Sequence, residues 1–302
     1  MSPLRTLWKF SRPHTIIGSV IGILTLYFVV CENQTLQCLS YLVMALIIGI
    51  SCNVFIVGIN QIADVDIDRI NKPYLPIPAG ALSVRQAWGI VSVALLISLA
   101  LAIYVSPYLF GIIALSATIG WAYSMPPFYL KRHHVTAALC ITTVRGVLLN
   151  AGGFLVFNYL VNDSLVMPQN VKMLTLFIIA FSIVISWFKD LADIEGDSRY
   201  NIRTFAIQYS PKAALIAGHL VVGLAYVLTI SLKAVDLFQA QSVSNETIIL
   251  ISGHCILFVL FIINAFTIQL DDHRSTEKFY KRFWWFFFAE YVVYLLAYFL
   301  NG

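Results

Sequence analysis

Nine runs of apolar residues, each long enough to cross a bilayer, dominate this sequence. They fall at roughly 15–31, 39–59, 87–105, 107–123, 135–157, 172–188, 213–231, 247–268 and 283–300. A hydrocarbon core of about 30 Å takes about 20 residues of helix to span. No water is present there to satisfy peptide groups, so each run has to close its own hydrogen bonds as a helix. The expectation is an all-α integral membrane protein, a bundle of nine transmembrane helices forming one domain over residues 1–302. Composition agrees: the chain is 60% hydrophobic and only 11% charged, whereas soluble domains are about a quarter charged. The net charge of +4 reflects basic loops at one membrane face and gives no sign of a nucleic-acid partner.

Orientation follows from the same basic residues. The N-terminus and alternate loops carry Arg5, Lys9 and Arg12; Arg69, Lys72 and Arg85; Lys131 and Arg132; Lys189, Arg199, Arg203 and Lys212; and Arg274, Lys278, Lys281 and Arg282. Of the 19 Lys and Arg residues this leaves only Lys172, Lys233 and Arg145, the last within a span. The positive-inside rule therefore predicts a cytoplasmic N-terminus and nine spans. Arg5, Lys9 and Arg12 form one helical stripe opposite Leu4, Leu7 and Trp8, the pattern of a short helix lying on the membrane surface. No secretory or transit-type pattern precedes it. Of the five cysteines, Cys31 and Cys38 bracket a short loop and are placed where they could pair; nothing requires it.

Two cytoplasmic loops, four spans apart, are acidic: NQIADVDIDRINKP after the second span and KDLADIEGDSRYNIRTF after the sixth. Their similarity suggests two related four-helix halves plus an extra helix, with the loops facing each other across a central cavity. At about 100° per residue, Asn60, Asp64 and Asp68 share one helix face, and Asp190, Asp193 and Asp197 share another. Asp66 and Glu195 lie off these faces. Carboxylates gathered in this way repel without a cation, and Mg²⁺ suits hard oxygen ligands shared with substrate phosphates. The alternative, carboxylates that merely cap helix ends, explains one such motif more easily than two at equivalent positions.

Basic residues stand beside the acidic ones: Arg69 and Lys72, Lys131 and Arg132 in YSMPPFYLKR, Lys189, and Arg203. Carboxylates and cations together suit a magnesium diphosphate, although loops on this side are basic for topological reasons as well. Lys72 and Lys131 are singled out because Pro-containing turns fix the backbone next to them. Arg145 lies mid-span in ITTVRGVLLN, where a charge costs about 2.5–3.5 kcal/mol and needs a cavity or a partner. Two readings stay open: Arg145 lines a substrate cavity, or it pairs structurally with Glu290. His219 and His254 read as helix-contact residues.

The N-x₃-D-x₃-D, Y-S-x-P-P-x-x-L-K-R and D-x₂-D-x₃-D loops, together with SRPHTIIG (11–18) and TVRG (143–146), resemble the UbiA superfamily of intramembrane aromatic prenyltransferases. The likeness runs nearly end to end and is strongest to members of tocopherol synthesis; the stretch IPAG at 77–80 departs from the LASG of plant relatives. The resemblance implies a UbiA-like bundle with Asn60, Asp64, Asp68, Asp190, Asp193 and Asp197 as metal ligands. Asp64, Asp68, Asp190 and Asp193 would be the catalytic carboxylates. It implies a diphosphate site of Arg69, Lys72, Lys131, Arg132, Lys189, Arg203 and Tyr123, and an acceptor site of Arg145, Arg12 and His14. The implied reaction moves a phytyl group from its diphosphate to homogentisate, with loss of CO₂ and diphosphate, in a cyanobacterial plasma or thylakoid membrane. Sister activities using geranylgeranyl or solanesyl diphosphate, or a chlorophyllide acceptor, share the same motifs. A transporter is the rival from another class, but its ligands normally sit at midplane on broken helices. A CDP-alcohol phosphotransferase would need a DG-x₂-AR signature, which the sequence lacks.

Overall fold

A computed structural model of the chain describes residues 2–31, 38–239 and 244–300. Among these residues there is no β-strand, only a single bridge between His133 and Arg203. A short helix α1 (Pro3–Phe10) leads into α2 (Pro13–Val30) and α3 (Leu39–Ala63), which is prolonged by α4 (Val65–Asn71). Next come α5 (Val84–Val105) and α6 (Pro107–Ser124). A long rod follows, made of α7 (His134–Thr142), a π-helical stretch (Thr143–Gly152) and α8 (Gly153–Asn162). The second half contains α9 (Gln169–Phe188), α10 (Ile194–Arg199), α11 (Phe205–Gln208), α12 (Pro211–Gln239), α13 (Asn245–Ala265) and α14 (His273–Phe299).

Local sequence sets many of these boundaries. Pro3, Pro13 and Pro107 each occupy a first helical turn, where no N–H is missed. Ser83 and Gln86 form a reciprocal capping box at α5. Ser106, Ser244 and Asp272 accept N–H groups at the starts of α6, α13 and α14.

Among the described residues, seven helical rods are long and apolar enough to cross a membrane: α2, α3, α5, the α7–α8 rod, α9, α12 and α13. The other two predicted spans correspond to α6 and α14. Pro, Tyr, Ser and Trp dilute α6, and α14 opens on the basic sequence HRSTEKFYKR. Leu4, Leu7 and Trp8 of α1 are exposed, while Phe10 is fully buried against α3 and α5.

The largest buried cluster lies between α9, α12, α13 and α14, where Phe177, Phe181, Phe188, Phe261, Phe279 and Phe283 are all fully buried. Edge-to-face contacts run through it, such as Phe188 on Phe283 at 4.8 Å between ring centres. Such pairs contribute about 0.5–1.5 kcal/mol each beyond area burial. In lipid this close contact, rather than exclusion of water, drives helix association.

Glu290 belongs to this aromatic half and not to Arg145. Its Oε2 lies 3.2 Å from His254 Nε2, and both side chains are fully buried. The His254 ring stacks on Phe177 at 5.0 Å, and its Nδ1 faces the Leu250 carbonyl at 2.6 Å. The structural pairing of Arg145 with Glu290 is thereby replaced by a His254–Glu290 pair, because the facing of α13 and α14 brings those two together. His219, as expected, serves a helix contact: its Nδ1 meets the Leu215 carbonyl at 2.7 Å and its ring stacks on Phe261.

Candidate active site

The first acidic motif keeps its common face although the helix is interrupted. Asp64 separates α3 from α4 with φ −101°, ψ 13°. The Asp64 N–H still donates to the Asn60 carbonyl (3.0 Å) and the Asp68 N–H to the Asp64 carbonyl (2.7 Å). Asn60, Asp64 and Asp68 therefore stay one turn apart. In the second motif a 3₁₀ turn at Lys189–Leu191 carries Asp190, and the Asp193 N–H donates to the Asp190 carbonyl at 3.2 Å. Asp197 follows one α-turn later, its N–H on the Asp193 carbonyl at 3.0 Å.

The two motifs meet. Lys72, at the end of α4, pairs with Asp193 of the opposite loop. Lys131, buried in the turn before α7, pairs with Asp64 and lies 4.8 Å from the centre of the Tyr129 ring. Lys189 reaches Asp190 at 3.2 Å and donates to the Tyr123 hydroxyl at 2.8 Å. Three lysines on three segments thus each hold one carboxylate. Asn60 Nδ2 donates to Asp64 Oδ2 at 3.0 Å. Asp68 and Asp197 are buried too, and Asp68 Oδ2 and Asp193 Oδ1 have no hydrogen-bond partner. Among the described residues no three His, Cys, Asp or Glu side chains already converge as a complete metal cage.

Charge and burial oppose each other here. Burial pushes the Asp68 carboxyl up to about 6, with Asp64 and Asp193 adding to the rise and Arg12 and Lys72 resisting it. Asp197 is pushed up to about 8, by burial first and then by Asp190 and Asp193. Burial lowers the Lys131 ammonium more than Asp64 raises it. At Lys72 the Asp193 carboxylate and the other acidic groups outweigh burial, so its ammonium is held above the usual range.

Other basic residues of these loops are more exposed than the three lysines. Arg69 bonds Asp66 at 2.5 Å and Arg199 bonds Glu195 at 2.6 Å, all four well exposed. The side chains of Arg132 and Arg203 are exposed as well. Their backbones pair instead: the Arg203 N–H donates to the Arg132 carbonyl at 2.7 Å, and the His134 N–H donates to the Arg203 carbonyl at 3.1 Å. These two residues clip one loop to the other.

Behind the acidic mouth a cavity runs down the axis of the bundle. Its head is lined by Asn60, Tyr123, Lys189, Arg12 and His14, its middle by Arg145, Trp284 and Tyr291, and its far end by Leu26, Ala45, Leu109 and Phe157. Arg145 rises from the π-helical stretch, a distortion common at functional sites. Its guanidinium lies 4.8 Å from the Trp284 ring centre and 5.4 Å from that of Phe287, and its Nη1 has no hydrogen-bond partner. His14 sits edge-on to the same Trp284 at 4.8 Å. Arg12 and His14 enter the cavity where the chain turns from α1 into α2, with Arg12 at φ 50°. Asn150, on the same stretch as Arg145, is buried; it donates to Thr175 Oγ1 at 2.9 Å and accepts from the Tyr291 hydroxyl at 3.1 Å.

Sequence reasoning missed two residues of this site. Asn71 donates to the Asp193 carbonyl and accepts the Gly196 N–H, tying the two loops together. Its spacing of three after Asp68 continues the acidic helix face, so a signal existed. Trp284 gave none, because only packing turns its face of α14 towards Arg145 and His14.

An all-helical bundle whose apolar cavity opens at paired acidic and basic loops defines a membrane-embedded prenyltransferase. The chain belongs to the UbiA prenyltransferase family, whose pattern matches residues 19–287. It is 36% identical to a homogentisate phytyltransferase of Synechocystis over 98% of this chain and 96% of that one. It is 35% identical to a probable chloroplastic homogentisate phytyltransferase 2 of Oryza sativa, covering 96% of this chain and 77% of the relative. A UbiA homologue from Archaeoglobus fulgidus, solved with GPP and Mg²⁺, shares the fold at a TM-score of 0.61 and 18% identity, over 95% of this chain and 99% of that one.

Proposed function

We propose that the protein transfers a phytyl group from phytyl diphosphate to homogentisate, releasing diphosphate and CO₂ and giving 2-methyl-6-phytylbenzoquinol. The observation that carries this reading is the cavity itself, which joins a diphosphate-type mouth to a mid-depth cation, Arg145, that has no carboxylate partner among the described residues. The named phytyltransferase relatives support the substrate pair.

The residues at the mouth fit Mg²⁺. Asp68 Oδ2 and Asp193 Oδ1 are buried carboxylate oxygens with no partner, and a hard cation shared with phosphate oxygens would satisfy them. Asn60, Asp64, Asp68, Asp190, Asp193 and Asp197 would hold it. Bound Mg²⁺ would neutralise the diphosphate and ease its departure. Lys72, Lys131 and Lys189 stand within reach of outer phosphate oxygens and can exchange their carboxylate partners for them. As the allylic C–O bond breaks, the electron pair leaves on the diphosphate, and the electron-rich acceptor ring attacks the freed carbon. The ring then loses its proton, and the acetate side chain loses CO₂ and takes up a proton to become methyl. Arg145 offers its unpartnered Nη1 to the acceptor carboxylate, which would otherwise be costly in an apolar cavity. Trp284 and Phe287 hold the guanidinium in place. The apolar walls keep out water that would quench the cation to an alcohol.

Membranes containing the protein, given homogentisate labelled either in the ring or in the carboxyl group, Mg²⁺ and a panel of prenyl diphosphates, test the reading. Ring label in a lipid quinol and carboxyl label in CO₂, best with phytyl diphosphate, are expected. Absence of any labelled quinol overturns the proposal and points to a different acceptor for this prenyltransferase.

A further inference from the structure

Leu149, Gly153 and Phe157 recur at every fourth position of the α7–α8 rod, and all three line the cavity. They therefore share one face, with the middle side chain missing. A Cβ added at Gly153 would meet no heavy atom within 4 Å, whereas one added at neighbouring Gly152 would lie 3.0 Å from Ile112 Cδ1. Gly152 closes the rod against α6, while Gly153 leaves a notch in the cavity wall. From Asn60 at the mouth to Ala45 near the far end is fifteen residues of α3, or about 22 Å of helical rise. Gly153 lines the wall towards that far end. One turn beyond it, Phe157, also in the cavity wall, packs edge-to-face on Tyr41 with ring centres 6.3 Å apart.

We infer that Gly153 and Phe157 set the length of prenyl tail the cavity accepts, Gly153 by leaving room for its distal units and Phe157 by forming the floor. The inference rests on the prenyl-diphosphate reading above and deepens it. A diphosphate head held at the mouth directs the tail down this channel. Beyond the allylic carbon the tail offers only shape to recognise, so discrimination among tails is steric. A side chain at 153 fills the passage, and loss of the ring at 157 deepens it.

Gly153→Leu and Phe157→Ala decide the matter, assayed with geranyl, farnesyl, geranylgeranyl, phytyl and the longer solanesyl diphosphate. Binding of the unreactive S-thiolodiphosphates of the same tails is followed in parallel by thermal stabilisation. For Gly153→Leu the ratio of kcat/KM for geranyl over geranylgeranyl diphosphate should rise about ten-fold or more, as steric exclusion of a few methylenes allows. Phe157→Ala should move the preference towards tails longer than phytyl. The order of stabilisation by the thiolodiphosphates should follow the same trend. Equal losses across all tail lengths, or unchanged ratios in both variants, overturn the inference, since the tail then leaves between helices without passing Gly153. The binding series needs no acceptor, so it separates failure of this inference from failure of the homogentisate reading.

Discussion

Asn71 fastens the first acidic loop to Gly196 of the second: its Oδ1 accepts the Gly196 N–H at 2.8 Å, while its Nδ2 donates to the neighbouring Asp193 carbonyl at 3.0 Å. The approach is so close that a Cβ at position 196 would fall 2.5 Å from the Asn71 Oδ1. Only glycine admits this clasp. Because it spans the two metal-type motifs, it fixes their separation.

Gly196→Ala and Asn71→Ala should therefore impair turnover through geometry rather than charge. Each should lower kcat by about ten-fold or more, and leaving the buried Gly196 N–H unpaired in Asn71→Ala should cost about 1–3 kcal/mol of stability. Turnover per inserted protein, with thermal melting alongside, measures both. Wild-type kcat in both variants would show the clasp to be dispensable.

The carboxylates should make activity depend on a divalent cation and its affinity depend on pH. Asp64→Ala or Asp193→Ala should remove nearly all turnover with the protein still inserted, and EDTA should abolish activity that Mg²⁺ restores. Asp68 and Asp197 are raised from the ordinary 3.8 to about 6 and about 8. For a raised carboxyl the unfolded chain releases its proton first, so metal-free stability should fall as pH rises from about 4 to about 8. Mg²⁺ competes with those protons, so its apparent affinity should climb over pH 6 to 8. Melting temperatures with and without Mg²⁺ across that range check the sign; curves flat in pH would contradict it.

Arg145 should matter more to the acceptor than to the prenyl donor. Lysine lacks the planar fork, so Arg145→Lys should raise the homogentisate KM by about ten-fold, with a smaller change for phytyl diphosphate. Arg145→Leu should be worse for turnover. Equal shifts in both KM values would make Arg145 a support for Trp284 and Phe287 rather than a ligand.

Nine crossings, as the apolar runs predict, would place the two ends of the chain on opposite sides. A reporter fused to the C-terminus should report the compartment opposite to one inserted within residues 199–203. Agreement between the two would remove one crossing and reverse α14.

What the sequence determined by itself was whatever depends on near neighbours in the chain. Apolar length predicted membrane-spanning helices because lipid leaves the backbone no other partner. The four-residue spacing of Asn60, Asp64 and Asp68 survived the break at Asp64 because its hydrogen bonds are local. Pro-containing turns beside Lys72 and Lys131 marked two lysines that pair with carboxylates of the acidic motifs. What only the tertiary structure decided was which side chains meet across elements. Arg69, Arg132 and Arg203 looked equivalent to those lysines, yet one residue along a helix turns a side chain by about 100°, and they are exposed where the lysines pair with the buried carboxylates. The two charges left at depth suggested an Arg145–Glu290 pair, but the rotation of α13 and α14 gave Glu290 to His254 and set Arg145 on Trp284 and Phe287. Helix rotation is set by the summed packing of many aromatic contacts, and no single stretch of sequence encodes it.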